Sequence, residues 1–335
     1  MRSLLLSFIL LLLISCEIVF PDAITNHINT NPFVSSYDIS KPSQDASRID
    51  IGSESNVQEK KLRFVAITDV HIGREKEDDG IEFFNDNFFS YLDSNKPPFV
   101  LCLGDLSDNG VYTPELKDFV DNVVSRTRNN WFVYCIGNHE RHIFDSDKWY
   151  DGDVHDLGWD VKLFSGTMAR YCYGNILSIY KMDNSMRIFG QKQLLYLEEA
   201  FKQDRAMYKI IVAHDNITSG GVFDQSLVIT GFADIQERNH FYRIMDKYGV
   251  SLVLTGHHHK GNIEYKLSND LAELNLAAYH KRSTFLDYES EGYFYECILD
   301  IESGVMTING YLAEDTKDVS RNPDITYSYK LRKAR

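Results

Sequence analysis

Residues 63–71 read Arg63-Phe64-Val65-Ala66-Ile67-Thr68-Asp69-Val70-His71, a short apolar run that stops at a carboxylate and an imidazole. A run of this length, closed by a turn signal, predicts a strand buried on both faces. The pattern recurs four times. Phe99 to Leu103 ends at Gly104-Asp105-Leu106-Ser107-Asp108, and Trp131 to Ile136 ends at Gly137-Asn138-His139-Glu140. Tyr208 to Ala213 ends at His214, and Ser251 to Thr255 ends at Gly256-His257-His258-His259.

Helical patterns lie between these runs. Thr113-Pro114-Glu115 supplies an N-cap, a proline at the first helical position and an acidic first turn, opening a helix to about Asn129. A second helix is expected from Gln191 to about Asp204, with Leu194, Leu195, Leu197 and Phe201 on one stripe, and a third from Phe232 to about Tyr248. Alternating strands and helices imply a largely parallel α/β core. After Leu274 the chain is strand-rich, with runs near Gly292–Asp300 and Val305–Leu312, and no internal repeat is visible.

The 335 residues fit one large domain or two ordinary ones, and 43% apolar content supports a sizeable core. The net charge of −14 disfavours binding to nucleic acid or an anionic membrane through the bulk field. Met1-Arg2 followed by the apolar stretch Leu4 to Ile14 suits a secretory signal. It is shorter than the about 20 residues that a membrane-spanning helix needs. Leu13-Ile14-Ser15-Cys16 resembles a bacterial lipobox, which implies that Cys16 carries lipid and anchors the protein outside the cytoplasm. An uncleaved anchor or a plain secreted protein is the alternative.

The expected organisation is a signal over 1–16, a polar linker over 17–60 and one domain over 61–335. An extra strand or arm packed on the domain is the alternative to a flexible linker. Cys102 and Cys135 lie in apolar runs and read as core residues; a disulfide among Cys102, Cys135, Cys172 and Cys297 is left open. Residues 141–170 form a long polar insertion containing Trp149 and Trp159. Its Asp145, Asp147, Asp151 and Asp153 lack calcium-loop spacing and read as a solvated acidic loop.

In a parallel sheet the strand ends share one edge, where ligands bind. Five segments therefore deliver Asp, Asn and His to one place. Imidazole with carboxylate suits zinc, manganese, iron or nickel. On an extended chain the one-residue gap points Asp69 and His71 the same way, and likewise His257 and His259, leaving His258 elsewhere.

These segments, in this order, resemble the calcineurin-like metallophosphoesterases, whose signature runs D-x-H, GDxxD, GNH[ED], a strand-end His and GHxH. The resemblance covers Arg63 to about His259 and includes Gly190, Gln193, Leu194 and Leu197 at a helix start. It implies a four-layer α/β/β/α sandwich of two mixed β-sheets flanked by helices. It further implies a first metal on Asp69, His71, Asp105 and His259, and a second on Asn138, His214 and His257, with Asp105 bridging. His139 would sit beside the metals as general acid, oriented by Asp108.

Two divalent ions against Asp69, Asp105 and a bridging hydroxide leave a charge of about +1 for an anionic ester. The implied activity is hydrolysis of a phosphomonoester or phosphodiester by in-line attack of that hydroxide. Asn109 stands where protein phosphatases carry Arg, which counts against a phosphoprotein substrate, and Asp108 stands where purple acid phosphatases carry a ligating Tyr. Arg141, His142, His258 and Lys260 are candidate phosphate contacts or simply exposed polar residues. The competing readings are an inactive metal-binding scaffold and a metal-capture lipoprotein. Neither needs His139. The substrate, the metal identity and the oligomeric state are not readable from the sequence.

Overall fold

The computed structural model describes residues 48–333 except 58, 74–83, 109–112, 141–167, 186, 219–234, 269, 281, 284–288, 291 and 314–321. The expected signal with Cys16, the linker up to residue 47, Asn109, Arg141, His142 and the acidic and Trp-bearing part of the insertion lie outside the described residues.

Two sheets form the centre. In the first, three parallel strands, β2 (Lys61–Ile67), β3 (Phe99–Cys102) and β4 (Trp131–Tyr134), stand in sequence order. Beyond β2 the sheet continues antiparallel through β13 (Tyr293–Asp300), β14 (Val305–Leu312) and β15 (Ile325–Lys330). The second sheet runs β1 (Arg48–Gly52), β5 (Ala169–Tyr173), β6 (Leu177–Lys181), β7 (Tyr208–Val212), β8 (Leu252–Thr255), β10 (Ala272–Asn275) and β9 (Ile263–Lys266). Its members β6, β7, β8 and β10 are mutually parallel. A separate hairpin pairs β11 (Arg282–Ser283) with β12 (Glu289–Ser290).

The two-residue period of each strand sorts side chains into separate cores. Leu62, Phe64 and Ala66 of β2 meet Leu177, Ile179, Ile210 and Leu254 between the sheets. Val65 and Ile67 point outward to helices α1 (Asp86–Asn95) and α2 (Pro114–Arg126). On the far side Ile211 and Val253 pack under α3 (Gln191–Gln203) and α4 (Ile235–Tyr248). Three cores make four layers, α/β/β/α. Strands β3, β4, β7 and β8 are buried on both faces, which is why they read as continuous apolar runs.

Local chemistry sets the helix starts. Thr113 Oγ1 accepts the Leu116 N–H at 3.2 Å, with Pro114 in the first turn. Asn85 Oδ1 accepts the N–H groups of Asn87 and Phe88, opening a helix absent from the sequence reading. Gly190 gives α3 no side-chain cap; Glu237 of α4 instead accepts the N–H groups of Phe189 and Gly190.

Strand β1 pairs with β5, so the stretch just before Lys61 includes a strand packed on the domain, the alternative the sequence left open. Ile51 alone of β1 is deeply buried, too little apolar signal to mark a strand. Likewise Ala169 and Arg170, expected in the insertion, begin β5. Cys102, Cys135, Cys172 and Cys297 are all buried and free, so no disulfide joins them. Among the described residues no helix is long and apolar enough to cross a membrane.

Candidate metal centre

The C-terminal ends of β2, β3 and β4 in one sheet meet those of β7 and β8 in the other. From the first come Asp69, His71, Asp105, Asn138 and His139; from the second come His214, His257 and His259. Asp69, His71, Asp105 and His259 bring donor atoms within 4.8 Å of one another, as do Asp105, His214 and His257, so Asp105 is common to both groups. Asn138 Oδ1 lies 2.9 Å from His214 Nε2 and 2.8 Å from His257 Nδ1.

The convergence depends on unusual backbone. Asp69, His71, Asp105, His257 and His259 all have positive φ, at 54°, 52°, 49°, 74° and 49°. The extended geometry expected for Asp69–His71 and His257–His259 is therefore replaced by left-handed turns. His258 N–H donates to the Gly256 carbonyl at 2.9 Å, closing a three-residue turn around His257. Such conformations cost of order 1–3 kcal/mol each and persist only where the surroundings enforce them. Glycines clear the space: a Cβ at Gly137 would overlap the Asp105 carboxylate, and one at Gly256 would overlap the Thr68 hydroxyl.

Hydrogen bonds fix which ring nitrogens face the centre. His71 Nδ1 lies 2.9 Å from Asp108 Oδ1 and donates to it, leaving the Nε2 lone pair inward, 3.1 Å from His259 Nε2. His214 Nδ1 donates to the Leu103 carbonyl at 2.9 Å, so its Nε2 faces Asp105 Oδ2 at 3.2 Å. His139 Nδ1 donates to the main-chain carbonyl of Asp108 at 2.5 Å, and its Nε2 lies 3.9 Å from Asp105 Oδ2. The Asp108 carboxylate is 3.8 Å from His139 Nδ1, so it holds His71, and its carbonyl orients His139.

Asp69 Oδ1 and Asp105 Oδ2 are buried and accept no hydrogen bond, although the partner oxygens do: Thr68 Oγ1 and His257 N–H serve Asp69 Oδ2, and His139 N–H serves Asp105 Oδ1. Buried oxygens left bare beside inward imidazole lone pairs form a donor set for cations. The electrostatics agree. Burial opposes charge on Asp69 and Asp105, yet the surrounding histidines hold both carboxyls far below their usual range. Burial also opposes charge on His214, yet Asp105 pushes its pKa up to about 10. For His257, burial wins and lowers the pKa.

The sequence reading gave no bracing role to the groups beneath this centre. Glu140, fully buried, accepts the N–H groups of Asp105, Ser107 and Gly137 at 3.1, 2.8 and 2.7 Å. Burial and Asp105 push its pKa up to about 7, against the Ser107 and Gly137 donors. Asn184 Oδ1 accepts the N–H groups of His214 and Asp215 at 3.1 and 3.0 Å. Gln193 ties the preceding loop to α3 through Asp183 and Phe189. Glu140 stands in the GNHE motif and was legible as part of it; Asn184 carries no local signal. His258 and Lys260 flank the histidine turn, with His258 half-buried and Lys260 exposed.

Residues 62–261, more than half of the chain, match the sequence profile of the calcineurin-like phosphoesterases. No curated protein matches the chain. Among solved structures it is similar to the purple acid phosphatase PPD1 from yellow lupin (Lupinus luteus) seeds, at 16% identity and TM-score 0.54, over 82% of this chain and 55% of that one. It is similar to GAP50, the anchor in the inner membrane complex of Plasmodium, at 15% identity and TM-score 0.52, over 82% of this chain and 90% of that one. A PhoD structure is similar at 11% identity and TM-score 0.52, over 82% and 71%. The chain spans about half the length of the lupin protein. At these identities the likeness is one of fold.

Proposed function

Because the chain belongs to the calcineurin-like phosphoesterase family, we propose that it hydrolyses a phosphomonoester or phosphodiester at a centre of two metal ions. The observation that carries this reading is Asp105, a buried carboxylate shared by two donor groups, with Oδ2 bare. Asp69, His71, Asp105 and His259 would hold one ion, and Asp105, Asn138, His214 and His257 the other. Manganese, iron, zinc and nickel suit these donors. When bound, such a pair supplies Lewis acidity that activates water and clamps phosphoryl oxygens.

His139 supplies the proton. Its Nδ1–H is committed to the Asp108 carbonyl, so the transferable proton sits on Nε2, facing the centre. Burial disfavours the imidazolium, but Asp105 and Asp108 outweigh it and raise the pKa, which favours an acid at neutral pH. The side chain keeps 30% exposure, enough for a leaving group to reach it.

The test is metal analysis combined with turnover on nitrophenyl, nucleotide, sugar and glycerol phosphates. His139→Ala should slow the alkyl esters by about 10²–10⁴-fold and nitrophenyl phosphate much less, because nitrophenolate leaves without a proton. A metal-loaded chain that turns over none of these would overturn the enzyme reading in favour of an inactive scaffold.

The location belongs to the same proposal. The lipobox-like Leu13-Ile14-Ser15-Cys16 supports a lipoprotein anchored outside the cytoplasm. Cys16→Ala should release the protein from the membrane fraction or leave an uncleaved precursor; unchanged processing and fractionation would reject the anchor.

A further inference from the structure

We infer that Glu273, on β10, is a positioning residue that sets the spacing of His214 and His257 for the second metal ion. The inference rests on the two-metal reading above. Leu274 and Leu276 of this segment enter the core between the sheets, so Glu273 and Asn275 take the opposite face, and both are fully buried. In the neighbouring strands that face carries Ile211 and Val253. For stability alone an apolar side chain would serve better there than a buried carboxylate.

The carboxylate is compensated by four donors drawn from two segments. Oε1 accepts the Ile217 N–H at 2.9 Å and the Thr255 hydroxyl at 2.8 Å. Oε2 accepts the Thr218 N–H at 3.1 Å and the Thr218 hydroxyl at 2.9 Å. Ile217 and Thr218 follow His214 on its loop; Thr255 stands two residues before His257. One carboxylate therefore spans the two strand ends whose imidazole rings lie 5.1 Å apart between centroids.

Asn275 completes the clamp. Its Nδ2 donates to Thr255 Oγ1 at 3.2 Å and to the Gly256 carbonyl, so the Thr255 hydroxyl proton is directed at Glu273. The residue that follows is His257, at φ 74°, a conformation its neighbours must enforce. On the other flank Asn184 fixes the main chain at His214 and Asp215. With the loop held by Asn184 and the turn by Asn275, Glu273 is the side-chain tie between them, beside the main-chain bond from the Gly256 N–H to the His214 carbonyl at 2.8 Å.

The test titrates the full chain, stripped of metal, with manganese(II) in a calorimeter, and Asn138→Ala marks the phase belonging to the second ion. In Glu273→Gln, whichever way the amide turns, its NH₂ meets a main-chain N–H, of Ile217 or of Thr218. That phase should weaken roughly 10–100-fold, the usual effect of losing a group that orients a ligand, while the other phase stays at its wild-type position.

Thr255→Val removes only the hydroxyl that links Glu273 to the His257 turn. It should move the same phase in the same direction by less, and it keeps the test open should Glu273→Gln fail to fold. Tyr180→Phe breaks a part-buried 2.6 Å hydrogen bond from strand β6 of the same sheet to Asp204; it should lower Tm and move neither phase, which separates positioning from loss of stability. Unchanged phases in both Glu273→Gln and Thr255→Val, or both phases weakened alike, would overturn the inference and leave the two-metal reading intact. A wild-type chain that binds fewer than two ions would overturn that reading, and the inference with it.

Discussion

At the scale of single residues, Asp108 serves two histidines with two different atoms. Its carboxylate accepts from His71 Nδ1 at 2.9 Å and its main-chain carbonyl accepts from His139 Nδ1 at 2.5 Å. The two roles are separable because a substitution keeps the carbonyl. Asp108→Asn removes the charge that makes His71 a stronger donor, so the first ion should bind roughly 10-fold more weakly. The orientation of His139 should survive. At saturating metal, the extra loss on poor leaving groups should therefore be small beside that of His139→Ala, reflecting only the charge that Asp108 lends to His139. A selective loss on poor leaving groups as large as that of His139→Ala would show that the carboxylate also orients His139.

At the scale of elements, the turn after β4 is set by close approach. An added Cβ at Gly137 would overlap both the carboxylate and the main-chain N of Asp105. Gly137→Ala should displace Asp105, lowering stability by about 1–3 kcal/mol, as overpacking does. Metal content should fall with it, read by denaturation and elemental analysis. Full metal occupancy in a folded variant would contradict the contact.

Strand β6 makes a different prediction. Leu177 and Ile179 lie in the core between the sheets, and the period of two carries Lys181 to the same face, fully buried. Burial lowers its pKa to about 8. Between that value and 10.5 the unfolded chain holds a proton that the folded chain has released, so wild-type stability gains with rising pH in this window. Lys181→Met removes this contribution. The stability of the variant relative to wild type should fall by about 3 kcal/mol from pH 7.5 to above pH 10, measured by urea denaturation. A constant difference would mean that Lys181 is charged throughout.

At the scale of the whole molecule, the centre joins the two sheets. Asp69, His71, Asp105 and Asn138 come from one sheet and His214, His257 and His259 from the other. Ions held there would bind the folded chain only, and each would stabilise it by about 4 kcal/mol when present at a thousand times its dissociation constant. Chelation should lower Tm, and adding back metal should restore it in a concentration-dependent way. Asp105→Ala should abolish most of that dependence, since both donor groups lose a member. A Tm indifferent to chelator in a chain shown to carry metal would mean that the ions do not bridge the sheets.

Five strands and their terminal donors were determined by the sequence itself, because an apolar run and the polar group that ends it are neighbours in the chain. The same holds for the cap at Thr113. Elements with a weak local pattern escaped: β1 buries only Ile51, and β5 and β6 carry Arg170, Ser178 and Lys181 among their apolar residues. The left-handed backbone at Asp69, His71 and Asp105 has only a weak signature in residue type, because Asp and His visit that region more than most residues but the tertiary setting imposes it. Only the folded chain decided which groups hold the donors in place. Glu140 reaches Ser107 across 33 positions and Glu273 reaches Ile217 across 56. A buried carboxylate is stable only where donors surround it, and those donors come from wherever the fold brings them. Composition and spacing announce the atoms that meet a ligand; the atoms that fix their positions become visible only when distant segments are brought into contact.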